Sequence, residues 1–485
     1  MEIDKNNIYQ EEKNNIYWEE KSNICQEDKS NIYQKDKSNI YQEDKNNIYQ
    51  EFAAEASAMQ PRSVALRRDL HRHPETGWLE MRTTAIIVRR LRALGYQVLT
   101  GREVCLASAR LGLPDPDIMA AHAEAVLQQG VTEEELTPDL REGFTGAIAI
   151  LDCGPGPVVA LRFDIDALGM VECPEATHRP TREGFASVNA GMMHACGHDA
   201  HATIGLGVAE LLMKHRDALH GTIKLIFQPG EEGGRGAAAI VAHGHLDDVD
   251  YLIGNHIAPT GALDDGDVTP GTYGSLANTK YDVYYTGTAA HAGGFPERGQ
   301  NALLAAAQAS LGLYAIPRHS AGITRVNVGT LHAGTGRNVI PDRAKMEIEV
   351  RGETTEINEY MMQQAEQICQ GAATMHGCRC EMKIEGRGES QHSDEALWQR
   401  IATLVQTALP QYRVSSTPNA QNWGSEDISL MMNRVQSHGG QATYMRTMTD
   451  MASEQHTVRF DFNEQVLARG ITLFSAIVYD LAGRA

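Results

Sequence analysis

Apolar residues in the middle of the chain form short runs that alternate with segments of helical spacing. Compact runs such as GPVVALRFD at 156–164 and GTIKLIFQ at 221–228 are typical of buried strands. Between them, the apolar residues of DAHATIGLGVAELLMKHRDAL at 199–219 recur every three or four positions, as they do along one face of a helix. This alternation predicts an α/β fold built on a doubly wound, mostly parallel sheet.

The pattern changes between residues 275 and 386, where the predicted order of elements is strand, helix, strand, strand, helix, strand. The stretch NTKYDVYYTG at 278–287, for example, has the period of two of a strand with one buried face. The order βαββαβ is that of a ferredoxin-like unit. We therefore expect residues 275–386 to form a domain inserted into a larger one, which comprises residues 52–274 and 387–485.

The first 51 residues are a tandem repeat with a period of eight residues. From Asp4 onward six units follow without a gap, and the last of them, DKNNIYQE, occupies 44–51. Each unit offers only an isoleucine and usually an aromatic residue, which is too little apolar surface to offset the entropy of ordering. We interpret the repeat as a low-complexity tail, with a short helical association segment as the alternative, and assign it no catalytic role.

The overall composition narrows the class of protein. The chain has 485 residues, 42% of them hydrophobic and 22% charged, which is typical of a globular protein with more than one domain. A formal net charge of -20 without a long basic run argues against nucleic acid or an anionic membrane as a partner. No apolar stretch reaches the roughly 18 residues of a membrane-spanning helix, and the N-terminus lacks the pattern of a signal peptide. We expect a cytoplasmic protein whose eight cysteines are reduced.

Polar residues of chemical interest follow the predicted strands directly. Asp164 and Asp166 come after VVALRF, Glu231 and Glu232 come after IKLIFQPG, and His256 ends YLIGNH. In an open parallel sheet the ligand crevice lies outside the carboxyl ends of the strands. Three strands therefore deliver carboxylates or imidazole to one edge of the sheet.

The stretch MMHACGHDAH at 192–201 supplies a thiol and an imidazole one glycine apart, a spacing that lets both face one site. The adjacent carboxylates of Glu231 and Glu232 repel each other unless cations are near, and one of them can bind a metal while the other stays free as a base. Taken singly, such residues also fit a structural cysteine, a solvated acidic pair and ordinary histidines. Together they exceed the four ligands of a closed zinc site and suit two metal ions. The candidate ligands are Cys196, His198, Glu232, His256 and His456.

Several motifs in this order resemble the dimetal aminoacylase/carboxypeptidase family of amidohydrolases. The resemblance extends from about residue 60 to the C-terminus. It implies a metal-binding catalytic domain with an inserted dimerisation domain. The motifs are HRHPETGW, RFDIDAL, MMHACGHDAH, FQPGEEG, NHI, GTAAHAGGFPERGQNAL and GRNVIPD.

The resemblance also implies a role for each matching residue. It assigns the five candidate ligands to two divalent ions, with Cys196 as a thiolate bridging both where relatives use aspartate. Glu231 would be the general base, and His291 would reach the active site of a partner subunit and stabilise the oxyanion. Asn338 would help to bind the substrate carboxylate, and Asp166 would orient a metal ligand. The resemblance favours manganese, with zinc as the alternative.

Within the family, the segment LGYQVLTGREVCLASARLGLPDPD resembles a group that hydrolyses the amide of p-aminobenzoyl-glutamate to p-aminobenzoate and glutamate. A broader N-acyl-amino-acid or dipeptide amidohydrolase is the alternative activity. A catalytically silent partner subunit is the alternative of another class. The resemblance implies a homodimer through the inserted domain or a heteromer with a homologous B subunit.

Overall fold

The computed structural model describes residues 47–260, 266–415, 419–420 and 424–484. The helices are α1, described over residues 47–72, α2 Met81–Leu94, α3 Pro116–Leu127, α4 Pro138–Arg141, α5 Arg179–Glu183, α6 His198–Lys214, α7 Ala237–His243, α8 Ala302–Tyr314, α9 Thr355–Met375, α10 Glu395–Ala408, α11 Ile428–Ser437 and α12 Val466–Ala482. The strands are β1 Gln97–Thr100, β2 Ala147–Asp152, β3 Val158–Asp164, β4 Thr222–Gln228, β5 Tyr251–Pro259, β6 Val268–Thr269, β7 Thr272–Tyr273, β8 Ala277–Thr286, β9 Thr324–Ala333, β10 Arg343–Gly352, β11 Arg379–Gly388, β12 Asn419–Ala420 and β13 Gln441–Thr449.

The larger sheet has the strand order β1-β2-β4-β3-β5-β13-β6. Its central strands β4, β3, β5 and β13 are parallel to one another. On one side β2 pairs antiparallel with β4 and β1 pairs antiparallel with β2, and on the other side β6 pairs antiparallel with β13. Apolar residues on both faces are buried, as the continuous apolar runs of β3 and β4 require. The predicted mostly parallel sheet is confirmed.

Helices cover both faces of this sheet. On one face, alternate β3 residues such as Leu161 and Phe163 belong to a core shared with α6 and α12. On the other face, Ala160 belongs to a core shared with α7 and α11. This layering is the doubly wound arrangement, and it leaves the carboxyl edge of the parallel strands open to form a site.

The inserted segment forms a separate antiparallel sheet with the order β11-β8-β10-β9. Tyr281, Val283 and Tyr285 of β8 face a core of their own against α8 and α9. The order of elements and of strands is that of a ferredoxin-like domain, as the sequence pattern predicts. The opposite face of this sheet carries polar residues, among them Lys280 and Glu349, whose Cα atoms are cross-strand partners.

Most of the octapeptide repeat lies outside the described residues, but its last unit extends into α1. Tyr49 is buried, and its ring meets that of Tyr479 edge-on at 5.6 Å. The side-chain amide of Gln50 donates to the carbonyl of Ala408 at 3.1 Å. The end of the sixth unit is therefore part of the folded domain.

No helix within the described ranges is both long enough and apolar enough to cross a membrane.

Candidate metal centre

Residues of ligand type converge at the carboxyl edge of the larger sheet. Glu231 and Glu232 follow β4, His256 lies near the end of β5, and His198 is the first residue of α6. Gly197, with φ +101°, makes the turn between Cys196 and His198; a Cβ there would lie 2.4 Å from the Ile257 side chain. A glycine is required because both the backbone angle and the space exclude a side chain.

The donor atoms of six side chains are close enough to share metal ions. The Sγ of Cys196 lies 3.3 Å from Nε2 of His256, and Nε2 of His456 lies 3.5 Å from Oε1 of Glu232. Three overlapping groups each have their donor atoms within 4.8 Å of one another: Cys196, His198 and His256; Cys196, Glu232 and His456; His198, Glu231 and Glu232. Cys196 and His198 each belong to two of these groups, and Cys196 is the residue shared by the group with His256 and the group with His456.

Neighbouring acceptors orient the two buried histidines. Nδ1 of His198 donates to the carbonyl of Asp166 at 3.0 Å and lies 3.2 Å from its carboxylate. Nδ1 of His256 donates to the carbonyl of Ile257 at 2.7 Å. The neutral form of each ring therefore presents the lone pair of Nε2 to the cluster. Asp166 also accepts from the backbone N–H of Glu232 at 2.9 Å, so it holds two parts of the site in place.

The charges of the cluster are unbalanced without cations. Burial, with Glu232 and Glu231 close by, holds the pKa of the Cys196 thiol well above its usual range. Burial and Glu426 likewise hold the pKa of Glu231 well above its usual range. For Glu232 burial opposes ionisation, but His456 and His198 outweigh it and lower the pKa. A positive ion would favour the thiolate and both carboxylates.

Two buried atoms of the cluster have no hydrogen-bond partner among the described residues. They are Nε2 of His198 and Oε1 of Glu232. Buried polar atoms are almost always paired, and both of these carry lone pairs. Bound metal ions would satisfy them, so the residues present fit a metal centre.

A second layer of charged residues supports the site, and of its members the sequence analysis singled out only Asp164. Asp164 forms ion pairs with Arg162 and with Nδ1 of His201. Nε2 of His201 in turn accepts from the backbone N–H of Ile257 at 3.1 Å. His201 is therefore engaged through both ring nitrogens and anchors β5 beside His256. Arg162, a charged residue inside the apolar run of β3, is the sequence feature that could have indicated this second layer.

Two predicted site residues lie apart from the cluster within this chain. His291 and Asn338 are exposed on the inserted domain, where the backbone N–H of Ala292 donates to the carbonyl of Asn338 at 3.1 Å. Neither is among the described residues that line the cleft over the cluster. A role in catalysis would require them to act on another protomer.

The cleft itself has a volume of about 850 Å³ and lies between the two sheets. Cys196, Glu231, Glu232, His256 and His456 lie on one side of it. The other side includes residues that the sequence pattern did not single out, among them Lys280 of β8 and Arg351 of β10. An N-acyl amino acid is small enough to enter a cleft of this volume.

These features define the class of protein, a hydrolase of the metallo-amidohydrolase and metallopeptidase type. The particular family follows from sequence comparison. The chain belongs to peptidase family M20/M25/M40, whose family model matches residues 160–480. The family expected from the motifs is confirmed.

Two well-matched relatives are hydrolases whose names specify a conjugate of an acidic amino acid. The chain is 48% identical to the A subunit of p-aminobenzoyl-glutamate hydrolase from Escherichia coli (strain K12), over 85% of this chain and 94% of that protein. It is 47% identical to indole-3-acetyl-aspartic acid hydrolase of Enterobacter agglomerans, over 84% of this chain and 93% of that protein. The chain is thus an M20 amidohydrolase closely related to both.

Solved structures show the same fold. The aminobenzoyl-glutamate utilization protein from Klebsiella pneumoniae matches with a TM-score of 0.73 and 39% identity, over 87% of this chain and 96% of that one. A dinuclear metal-binding peptidase of the M20 family from Bacillus subtilis matches with a TM-score of 0.59 and 26% identity, over 87% of this chain and 98% of that one. Dinuclear metal binding therefore occurs within the family.

Proposed function

We propose that the chain is a two-metal amidohydrolase that cleaves p-aminobenzoyl-glutamate to p-aminobenzoate and glutamate. The observation that carries the proposal is the convergence of six ligand-type side chains at one edge of the sheet, next to a cleft. The choice of substrate is supported by the relatives named for aminobenzoyl-glutamate. A silent partner would be expected to have lost part of this cluster, and each of the predicted ligands and Glu231 is present.

The second candidate is hydrolysis of indole-3-acetyl-aspartate or a broader set of N-acyl amino acids. It is favoured by the nearly equal identity to the indole-3-acetyl-aspartic acid hydrolase. Both substrates have a neutral aromatic acyl group linked to an acidic amino acid. The two candidates therefore differ in the acyl group and share the reaction.

In this proposal the side chains that would hold the two metal ions are Cys196, shared between them, and His198, Glu232, His256 and His456. When bound, the ions would polarise the amide carbonyl and lower the pKa of a water molecule. Manganese is the proposed metal and zinc the alternative, since thiolate and imidazole also suit zinc. A reducing compartment such as the cytoplasm would keep the Cys196 thiol free for this role.

The remaining steps belong to side chains of the protein. A carboxylate oxygen of Glu231 accepts the proton of the attacking water and later returns it to the leaving amide nitrogen. Its burial beside Glu426 and Asp427 raises its pKa, which makes it a stronger base than an exposed carboxylate. His291 of a second protomer donates a hydrogen bond to the oxyanion, and Asn338 binds the substrate carboxylate.

An assay of the metal-loaded chain tests the activity. Both p-aminobenzoyl-glutamate and indole-3-acetyl-aspartate are incubated with the protein, and the released aromatic acids are separated and quantified. We expect p-aminobenzoate to be released, and chelation of the metals to stop its release. Turnover of indole-3-acetyl-aspartate alone would establish the second candidate instead. If neither compound were cleaved by a chain that holds its metals, the proposed activity would be wrong.

Replacement of Asp166 by asparagine should weaken metal binding by about 10–100-fold, because Asp166 orients His198 and the backbone of Glu232. Affinity is measured by competition with a metal chelator. Asp217→Asn, an exposed aspartate shortly after the end of α6, is the matched control and should bind metal as the native chain does. Equal affinities of the native and Asp166→Asn chains would remove Asp166 from the site.

The exposed placement of His291 leads us to propose a homodimer through the inserted domain, with a heteromer containing a homologous B subunit as the alternative. Helix α8 of this domain exposes Leu304, Leu311 and Tyr314 on its surface. Large exposed apolar side chains grouped on one element are typical of an interface. A second copy of the chain would cover them and carry its His291 towards the cleft.

Mixing two inactive variants tests this arrangement. Chains with His291→Ala and chains with Glu231→Gln should each be inactive, yet a mixture of the two should recover about one quarter of the native activity by random pairing. The recovery arises because a mixed dimer has one site with both residues intact. His332→Ala, at another exposed histidine of the inserted domain, should be fully active. Mixed dimers seen by native mass spectrometry without any activity would show that His291 does not act across the dimer.

A further inference from the structure

The cleft contains a group of cationic side chains that the proposed chemistry does not use. Among the described residues that line it, five are positively charged: Arg235, Lys280, Arg351, Arg387 and Arg446. The chain as a whole is strongly acidic, with a formal net charge of -20. Such a concentration of cations in one cleft attracts anionic ligands.

Three of these cations have carboxylate partners. Arg351 pairs with Glu349 at 2.9 Å and Arg387 pairs with Glu389 at 2.9 Å. Arg446 is buried and lies 3.9 Å from Glu426. In each pair the positive and the negative charge neutralise each other, which explains why these arginines are tolerated in the cleft.

Arg235 and Lys280 differ from these three arginines, because neither forms an ion pair with another described residue. Lys280 is half-buried on β8, beside Glu349, whose two oxygens are both engaged by Arg351. Burial lowers the pKa of Lys280, and the nearby Glu349 and Glu231 offset this only in part. An ammonium group without a partner in such a position is stabilised by an incoming carboxylate.

Arg235 is held towards the cleft by the segment between β1 and α3. Its Nη1 donates to the carbonyl of Gly112 at 3.3 Å. Gly112 has φ +60°, and a Cβ there would lie 2.8 Å from Cδ of Arg235. The loop between Glu232 and α7 is tied to the inserted sheet as well, since the backbone N–H of Arg387 donates to the carbonyl of Gly234 at 2.8 Å. Arg235 and Lys280 therefore lie on two parts of the chain that are joined at the cleft.

We propose that Lys280 and Arg235 form a subsite for the side-chain carboxylate of an acidic amino acid, which makes the enzyme selective for N-acyl-glutamate and N-acyl-aspartate. This inference rests on the proposed function. The acyl groups of both candidate substrates are neutral, so an anion in this cleft belongs to the amino-acid half. The α-carboxylate is assigned to Asn338, which leaves the second carboxylate for the two unpaired cations.

The test compares substrates that differ only in that carboxylate. The kcat/KM values for p-aminobenzoyl-glutamate and p-aminobenzoyl-glutamine are measured for the native chain, Lys280→Met and Arg235→Gln. The native chain should prefer the glutamate compound. Each variant should lose about 10- to 100-fold in kcat/KM for it, mainly through KM, and little for the glutamine compound. Lys383→Met, which removes an exposed charge from the same sheet outside the cleft, is the control.

Equal losses for the two compounds, or no loss in either variant, would overturn the subsite. A second measurement is independent of turnover, namely calorimetric titration of the metal-loaded native and variant chains with L-glutamate and with L-glutamine. We expect tighter binding of glutamate by the native chain and a difference that disappears in the variants. If the native chain cleaved neither compound, the proposed function would fail, and this titration would still decide the subsite.

Discussion

A chain in which Glu231 is replaced by glutamine should keep its metal ions and hydrolyse p-aminobenzoyl-glutamate about 10³-fold more slowly than the native chain. Glutamine has nearly the same shape and still fills the space after β4, but its amide cannot accept a proton from water. Glu231 is buried, and burial with Glu426 raises its pKa. No other residue is assigned this proton transfer, so the loss should appear in kcat rather than in KM.

Metal content separates this effect from a loss of the site. Both chains are loaded with metal, analysed by mass spectrometry for ions per chain, and then assayed under identical conditions. Glu381→Gln, an exposed glutamate of the inserted sheet, is the matched control and should be fully active. Loss of metal together with activity would show that Glu231 is a ligand. Activity within about tenfold of the native value would show that another group is the base.

The central part of the fold could be predicted from the sequence because buried parallel strands need continuous apolar runs. GPVVALRFD and GTIKLIFQ correspond to β3 and β4: the first run begins two residues before its strand, the second one residue before, and both end with their strands. Since the carboxyl ends of parallel strands meet at one edge, the residues that follow them could be grouped into one candidate site. The resemblance then added roles for these residues, and the roles remain proposals.

Strand β13 shows where such prediction fails. Its sequence QATYMRTMT has neither an apolar run nor a regular alternation, and no strand was predicted there. The strand is buried because it lies between β5 and β6, and its polar groups are satisfied only in the folded chain. The hydroxyl of Thr447, for example, donates to the side-chain oxygen of Asn255 at 2.8 Å. Contacts of this kind join residues that are far apart in the sequence, and the local periodicity of apolar residues carries no information about them.

The cationic side of the cleft was missed for a related reason. Lys280 and Arg351 lie on the polar face of β8 and β10, where charged residues are the usual solvated positions of a strand. Only the docking of the inserted sheet over the larger one places them opposite Glu231. Alternation along a strand shows which residues share a face and does not show what that face covers.

Replacement of Cys196 by alanine should reduce the metal content from two ions per chain to at most one and abolish hydrolysis. The Sγ of Cys196 belongs to both the group with His198 and His256 and the group with Glu232 and His456. Alanine removes the one donor common to the two groups and leaves the buried Nε2 of His198 and Oε1 of Glu232 without the negative charge that helps to hold cations there. The Glu231→Gln chain, by contrast, retains every ligand.

A Cys196→Asp chain distinguishes loss of a bridge from damage to the turn at Gly197. Aspartate places carboxylate oxygens where the thiolate was, so it should restore binding of the second ion and part of the activity, whereas alanine should not. Ions per chain are counted by mass spectrometry beside Cys153→Ala, a half-buried cysteine that is not part of the cluster and should bind metal normally. Two ions bound to Cys196→Ala would exclude a bridging thiolate and leave the second ion to the carboxylates and histidines alone. Two ions bound to Cys196→Asp, with one or none bound to Cys196→Ala, would instead show that a negatively charged bridge at residue 196 is what the dimetal site requires.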